Sequence, residues 1–129
     1  MDFQEFKIIG AEIKADFPAL NYGKGYDNCF MINDYEPGQL QTAAQLYSSA
    51  SGRQLEVLTT QPAVQIYTGN WLEGCPAGKC GRGYHDYEGV AIECQHCPDS
   101  PNKPEFPTTV LRPGETFSEA IIWAFSVRK

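Results

Sequence analysis

The pattern of apolar and polar residues reads as β-strand almost throughout, with no long helical stripe. Residues 6–9, Phe6-Lys7-Ile8-Ile9, predict a short strand ended by Gly10. Residues 26–32 are apolar on both faces, which suits a central strand. Residues 53–60 are β-branched and aliphatic, and 63–68 form a further strand after the break at Pro62. In 89–95, Val90, Ile92 and Cys94 share one face, while Ala91, Glu93 and Gln95 share the other. The strongest pattern covers 116–127, where Phe117, Ile121, Trp123, Phe125 and Val127 keep one phase and Glu119 and Ile122 interrupt it. Its β-branched and aromatic content favours a strand over a helix.

One stretch reads two ways. Leu40, Ala43, Ala44 and Tyr47 stand at i, i+3, i+4 and i+7, the spacing of a helical stripe. The following Ser49-Ala50-Ser51-Gly52 reads as a hairpin loop, with Gly52 free to take a positive φ. With a strand on the far side of that loop, strand–loop–strand is the preferred reading. Two long loops complete the chain. Residues 74–83 are rich in glycine, and Pro98, Pro101, Pro104 and Pro107 recur at every third position, a spacing that favours extended polyproline geometry in a rigid surface loop. There is no internal repeat.

Length bounds the picture next. A chain of 129 residues can bury a core of its own, and residues 1–129 are read as a single domain. Ten basic against sixteen acidic residues leave a net charge of −6 with no basic block. Electrostatic binding to nucleic acid or to an anionic membrane is therefore not expected. No apolar run reaches the length of a membrane helix, and Met1-Asp2-Phe3-Gln4-Glu5 lacks the basic and apolar stretches of a secretory signal. Five cysteines is an odd number for a disulfide scaffold, so a reducing, cytoplasmic setting is expected.

The candidate chemistry lies in a few polar residues. Cys75-x4-Cys80 and Cys94-x2-Cys97 have a spacing that can hold tetrahedral zinc. Against this, Cys94 sits in the apolar phase of its strand, and in an extended chain Cys94 and Cys97 point to opposite faces. The expectation is no required metal. His85 lies in a loop and His96 beside Cys97; each is an acid or base near neutral pH in principle, and each is also an ordinary surface histidine. Glu93 is a lone carboxylate in an uncharged strand, Gln65 is flanked by Val64 and Ile66, and Asp27 precedes Cys29 and Phe30. A solvated outer face explains Glu93 by itself. Alternatively, three polar groups on three apolar strands line one cleft, where sugar hydroxyls are suitable partners.

Several stretches together resemble the aldose 1-epimerase (galactose mutarotase) family. They are Gly25-Tyr26-Asp27-Asn28-Cys29-Phe30, Ser51-Gly52-Arg53 through Thr59-Thr60, Pro62-Ala63-Val64-Gln65-Ile66-Tyr67-Thr68-Gly69-Asn70-Trp71, Ile92-Glu93-Cys94-Gln95-His96, Pro98-Asp99-Ser100-Pro101-Asn102 and Leu111-Arg112-Pro113-Gly114-Glu115. Their order and intervals are the family's, and they cover nearly the whole chain.

The resemblance implies an all-β, antiparallel β-sandwich of which this chain is the C-terminal part. It implies interconversion of the α and β anomers of an aldose such as glucose or galactose, an isomerase reaction that needs no cofactor. Glu93 matches the family's base, and Asp27 and Gln65 match sugar-contacting positions. The histidine that often follows the aspartate is Asn28 here. The family's upstream strands, with an arginine and two histidines, one of them the expected general acid, have no counterpart in this chain. The isolated chain is therefore expected to be inactive, and to pair with a separate N-terminal half or with itself through open strand edges. The alternative is a non-catalytic carbohydrate-binding relative that keeps Asp27, Gln65, Tyr67 and Trp71. A zinc-stabilised small β domain is a third reading.

Overall fold

Six strands in two three-stranded sheets account for most of the regular structure in a computed structural model that describes residues 1–128. The first sheet has the order β1-β4-β5, from Asp27–Met31, Ala63–Tyr67 and Ala91–Gln95. The second has the order β2-β3-β6, from Gln41–Tyr47, Arg53–Thr59 and Ile121–Val127, and is antiparallel throughout. The all-β expectation holds. The chain divides into two compact units, Met1–Asn28 with Ile66–Ala91, and Cys29–Gln65 with the stretch from Ile92 onward.

The second unit holds the whole β2-β3-β6 sheet. Its cross-strand rows run Ala44–Val57–Trp123 and Leu46–Leu55–Phe125, so apolar side chains on neighbouring strands meet on one face. The ambiguous stretch is strand, as preferred. A register shift between Thr42 and Ala44 inserts one extra residue. Such a bulge resets the period-two alternation, which is why the apolar positions imitated a helical stripe. The β2–β3 turn closes through Gly52 at φ 69, where an added Cβ would stand 2.5 Å from the Arg128 carbonyl oxygen. β6 starts later than the pattern predicts. Just before it, the Thr60 N–H donates to the Ala120 carbonyl at 3.1 Å, the Ala120 N–H donates to Thr60 Oγ1 at 2.9 Å, and Thr60 Oγ1 donates to Glu119.

The first unit is organised around Tyr26, which is fully buried. The Tyr26 N–H donates to Thr68 Oγ1 at 3.1 Å, and the Tyr26 carbonyl accepts from the Thr68 N–H at 3.1 Å and Asn70 Nδ2 at 2.9 Å. Phe3 packs edge-on against the Tyr26 ring with centroids 5.0 Å apart. Thr68 and Asn70 are buried polar residues whose hydrogen bonds offset the cost of leaving water. Gly25, at φ 152, has to be glycine: a Cβ there would lie 2.5 Å from Asn70 Oδ1. This network fixes the backbone immediately before Asp27.

Two expectations are corrected, and one element is new. Residues 6–9 do not form a strand; a 3₁₀ turn at Ile9–Ala11 replaces it, with the Ala11 N–H bonded to the Ile8 carbonyl at 3.0 Å. Ile8 is 79% exposed, so the apolar run finds no partner to bury it. The 26–32 segment is a strand, but it ends the order β1-β4-β5 rather than occupying its centre. A six-residue helix, α1 at Pro18–Gly23, was not foreseen. Pro18 opens it, and Lys24 caps it in the left-handed region at φ 57.

Candidate functional site

Gln65 and Glu93 stand on neighbouring strands of the first sheet and belong to the same unit. Gln65 is the central residue of β4, half-buried, with its Oε1 shielded from water. Glu93 is the central residue of β5 and is exposed, between buried Ile92 and half-buried Cys94. The strand alternation puts Ile92 and Cys94 on the opposite face from Glu93. A carboxylate so placed is open to a ligand while its strand is held by apolar neighbours.

Asp27 is the first residue of β1 and is exposed. It lies in the other unit, next to the Tyr26 network, and its N–H donates to Asn28 Oδ1 at 3.3 Å. In strand order, β1 borders β4 on the side away from β5. His85 is exposed in the first unit, with Nδ1 4.0 Å from Glu73 Oε1. His96 follows β5 and is half-buried.

The cysteines separate by environment. Cys75 and Cys80 are exposed in the first unit, whereas Cys29, Cys94 and Cys97 are half-buried or buried in the second. No group of three or more His, Cys, Asp or Glu side chains able to hold a metal ion occurs among the described residues. Burial, then the charge and hydrogen bond of Cys97, push the Cys29 thiol from its ordinary 9.0 to about 11. Burial also raises Cys94, partly countered by a hydrogen bond with Thr59. Because the thiolate is the nucleophile, a rise of this size lowers the reactive fraction of Cys29 about 10²-fold. With a disulfide reagent at pH 8, Cys75 and Cys80 are expected to react first and Cys29 and Cys97 last, read by mass spectrometry of timed samples. Uniform labelling of all five would contradict the packing of the second unit.

Comparison with known proteins gives a consistent result. The family model described as aldose 1-epimerase matches residues 1–123. Galactose mutarotase from Rattus norvegicus is 44% identical over 103 residues, which cover 80% of this chain and 30% of the rat protein. Aldose 1-epimerase from Escherichia coli (strain K12) is 40% identical over 126 residues, 96% of this chain and 36% of that protein. The crystal structure of a GalM/aldose epimerase homologue from C. elegans matches with a TM-score of 0.70 at 31% identity, covering 81% of this chain and 30% of that one. The fold class is the antiparallel β-sandwich of that homologue, present in part. The chain spans about a third of the length of the curated relatives it matches.

Proposed function

Because the chain belongs to the aldose 1-epimerase family, we propose that it carries the general base and part of the sugar-binding surface of an anomer-interconverting enzyme. The observation that supports this reading best is an exposed Glu93 at the centre of β5 on the strand next to β4, which carries Gln65 at its own centre. The Glu93 carboxylate takes the proton of the anomeric hydroxyl. The anomeric oxygen becomes the aldehyde oxygen, the bond from C1 to the ring oxygen breaks, and an acid protonates the ring oxygen. Rotation about the adjacent carbon–carbon bond and closure on the other face, with the proton transfers reversed, give the other anomer. C1 has the same oxidation state in the hemiacetal and in the aldehyde, so the reaction calls for no redox cofactor. Acting together, acid and base avoid a full charge on either oxygen, an effect typically worth about 10²–10⁴-fold. The acid is supplied by the upstream part of the family fold, as a separate chain or segment.

Asp27 and Gln65 bind hydroxyls of the ring in this reading. A buried hydrogen bond left unmade costs about 1–3 kcal/mol. Gln65→Ala is thus expected to weaken sugar binding about 5- to 150-fold by calorimetry. Unchanged affinity in folded protein would remove Gln65 from the site. All five cysteines are free thiols, which fits a cytoplasmic setting. The function is tested by co-expressing this chain with the upstream part of a family member and following glucose and galactose anomer exchange by polarimetry. Sugar binding without exchange in that complex would favour the non-catalytic alternative.

A further inference from the structure

Trp71, just past the end of β4, is 56% exposed, yet its surroundings hold it in place. Its backbone N–H donates to the Tyr67 hydroxyl at 3.0 Å. The Lys24 ammonium lies 4.0 Å from the indole centroid. That ammonium is paired with Asp86 Oδ2 at 3.2 Å, and Asp86 Oδ1 accepts the Glu73 N–H at 2.9 Å. The Glu73 N–H first, and Lys24 after it, hold the Asp86 carboxyl below its usual range against the opposing effect of burial. The Tyr87 hydroxyl donates to the Lys24 carbonyl at 2.5 Å. All these residues belong to the first unit.

We propose that Trp71 is a stacking platform for a neutral pyranoside, a sugar contact separate from Glu93 and Gln65. A ring covered on one face by a cation and still more than half exposed presents its other face to water. Leaving that face uncovered forgoes the burial an indole normally gains. The Lys24 ammonium over one face resists turning of the ring, so less conformational entropy is lost when a ligand settles on it. The ammonium draws on the electron density of the ring from one side and makes the free face a poorer seat for a second cation. The net charge of −6 disfavours anions. What remains is a neutral ligand with an apolar C–H face and hydroxyls at its rim. The choice of a pyranose among neutral rings rests on the sugar chemistry proposed above.

The test uses methyl β-D-galactopyranoside, whose anomeric oxygen is blocked, so that it can stack but cannot be epimerised. The chain has two tryptophans, and Trp123→Phe leaves Trp71 as the sole indole reporter. A saturable blue shift of its emission is expected, with half-saturation at about 1–10 mM. By calorimetry, with Trp123 intact, Trp71→Ala should weaken binding at least about tenfold, and Lys24→Gln, which unclamps the ring, about 2–5-fold. Absence of a saturable shift, or equal binding by Trp71→Ala, overturns the platform. Glycoside binding does not depend on Glu93. Binding kept while the co-expressed complex lacks anomer exchange supports the platform and defeats the proposed function; exchange kept without glycoside binding defeats the platform alone.

Discussion

Glu93→Gln is expected to lower anomer exchange at least about 10²-fold in the complex of this chain with the upstream part of the family fold. The amide keeps the size and the hydrogen-bonding reach of the carboxylate but does not take up a proton near neutral pH. The side chain is exposed at the centre of β5, so the exchange creates no cavity and leaves the strand intact. Sugar binding should therefore change far less than the rate. Polarimetry of freshly dissolved α-glucose measures the rate, and calorimetry measures binding. A variant that keeps most of its rate would take the base role from Glu93; one that loses binding and rate in equal measure would mark it as a contact only.

The isolated chain is expected to self-associate and to show little or no exchange by itself. β6 lies at the edge of the β2-β3-β6 sheet and carries no charge from Ile121 to Val127. Every residue of the strand is exposed, Phe125 by 76%. An uncharged edge strand with apolar side chains on both faces is a template for another strand. Covering a phenylalanine is worth about 1.5–3 kcal/mol, so Phe125→Lys should weaken association about 10- to 10²-fold. Size-exclusion chromatography with light scattering should show oligomers for the parent chain and a shift toward monomer for Phe125→Lys. Supplying the upstream family part should convert the parent chain to a discrete complex that exchanges anomers, and Phe125→Lys should weaken that complex too. A monomeric parent chain with full activity would overturn this expectation and require another group here, His85 or His96 among them, to act as the acid.

Strands were legible where the side-chain period is itself the structural signal. β3, β4 and β5 follow from alternating or β-branched runs bounded by Gly52, Pro62 and Gly89, and their bounds differ from the pattern by a residue or two. α1 was not legible because six residues complete less than two helical turns, too few to display a period. Residues 6–9 misled because an apolar run states that burial would be favourable, not that a neighbouring strand is there to provide it. The candidate residues Asp27, Gln65 and Glu93 were visible as polar interruptions of apolar strands, a pattern that a solvated face also produces; it is the resemblance to the family, not the pattern, that proposes a role for them.

The sequence by itself determined most of the strands, their faces and the motif that places the chain in its family, because each of these is written in neighbours a few residues apart. Only the tertiary structure decided strand order, and with it that β4 carrying Gln65 lies beside β5 carrying Glu93. It alone set Lys24 over Trp71 and paired Lys24 with Asp86, residues separated by long stretches of chain. It alone left β6 uncovered. The physical reason is that a contact between distant segments depends on how sheets pair and chains return, and local propensity is silent on both.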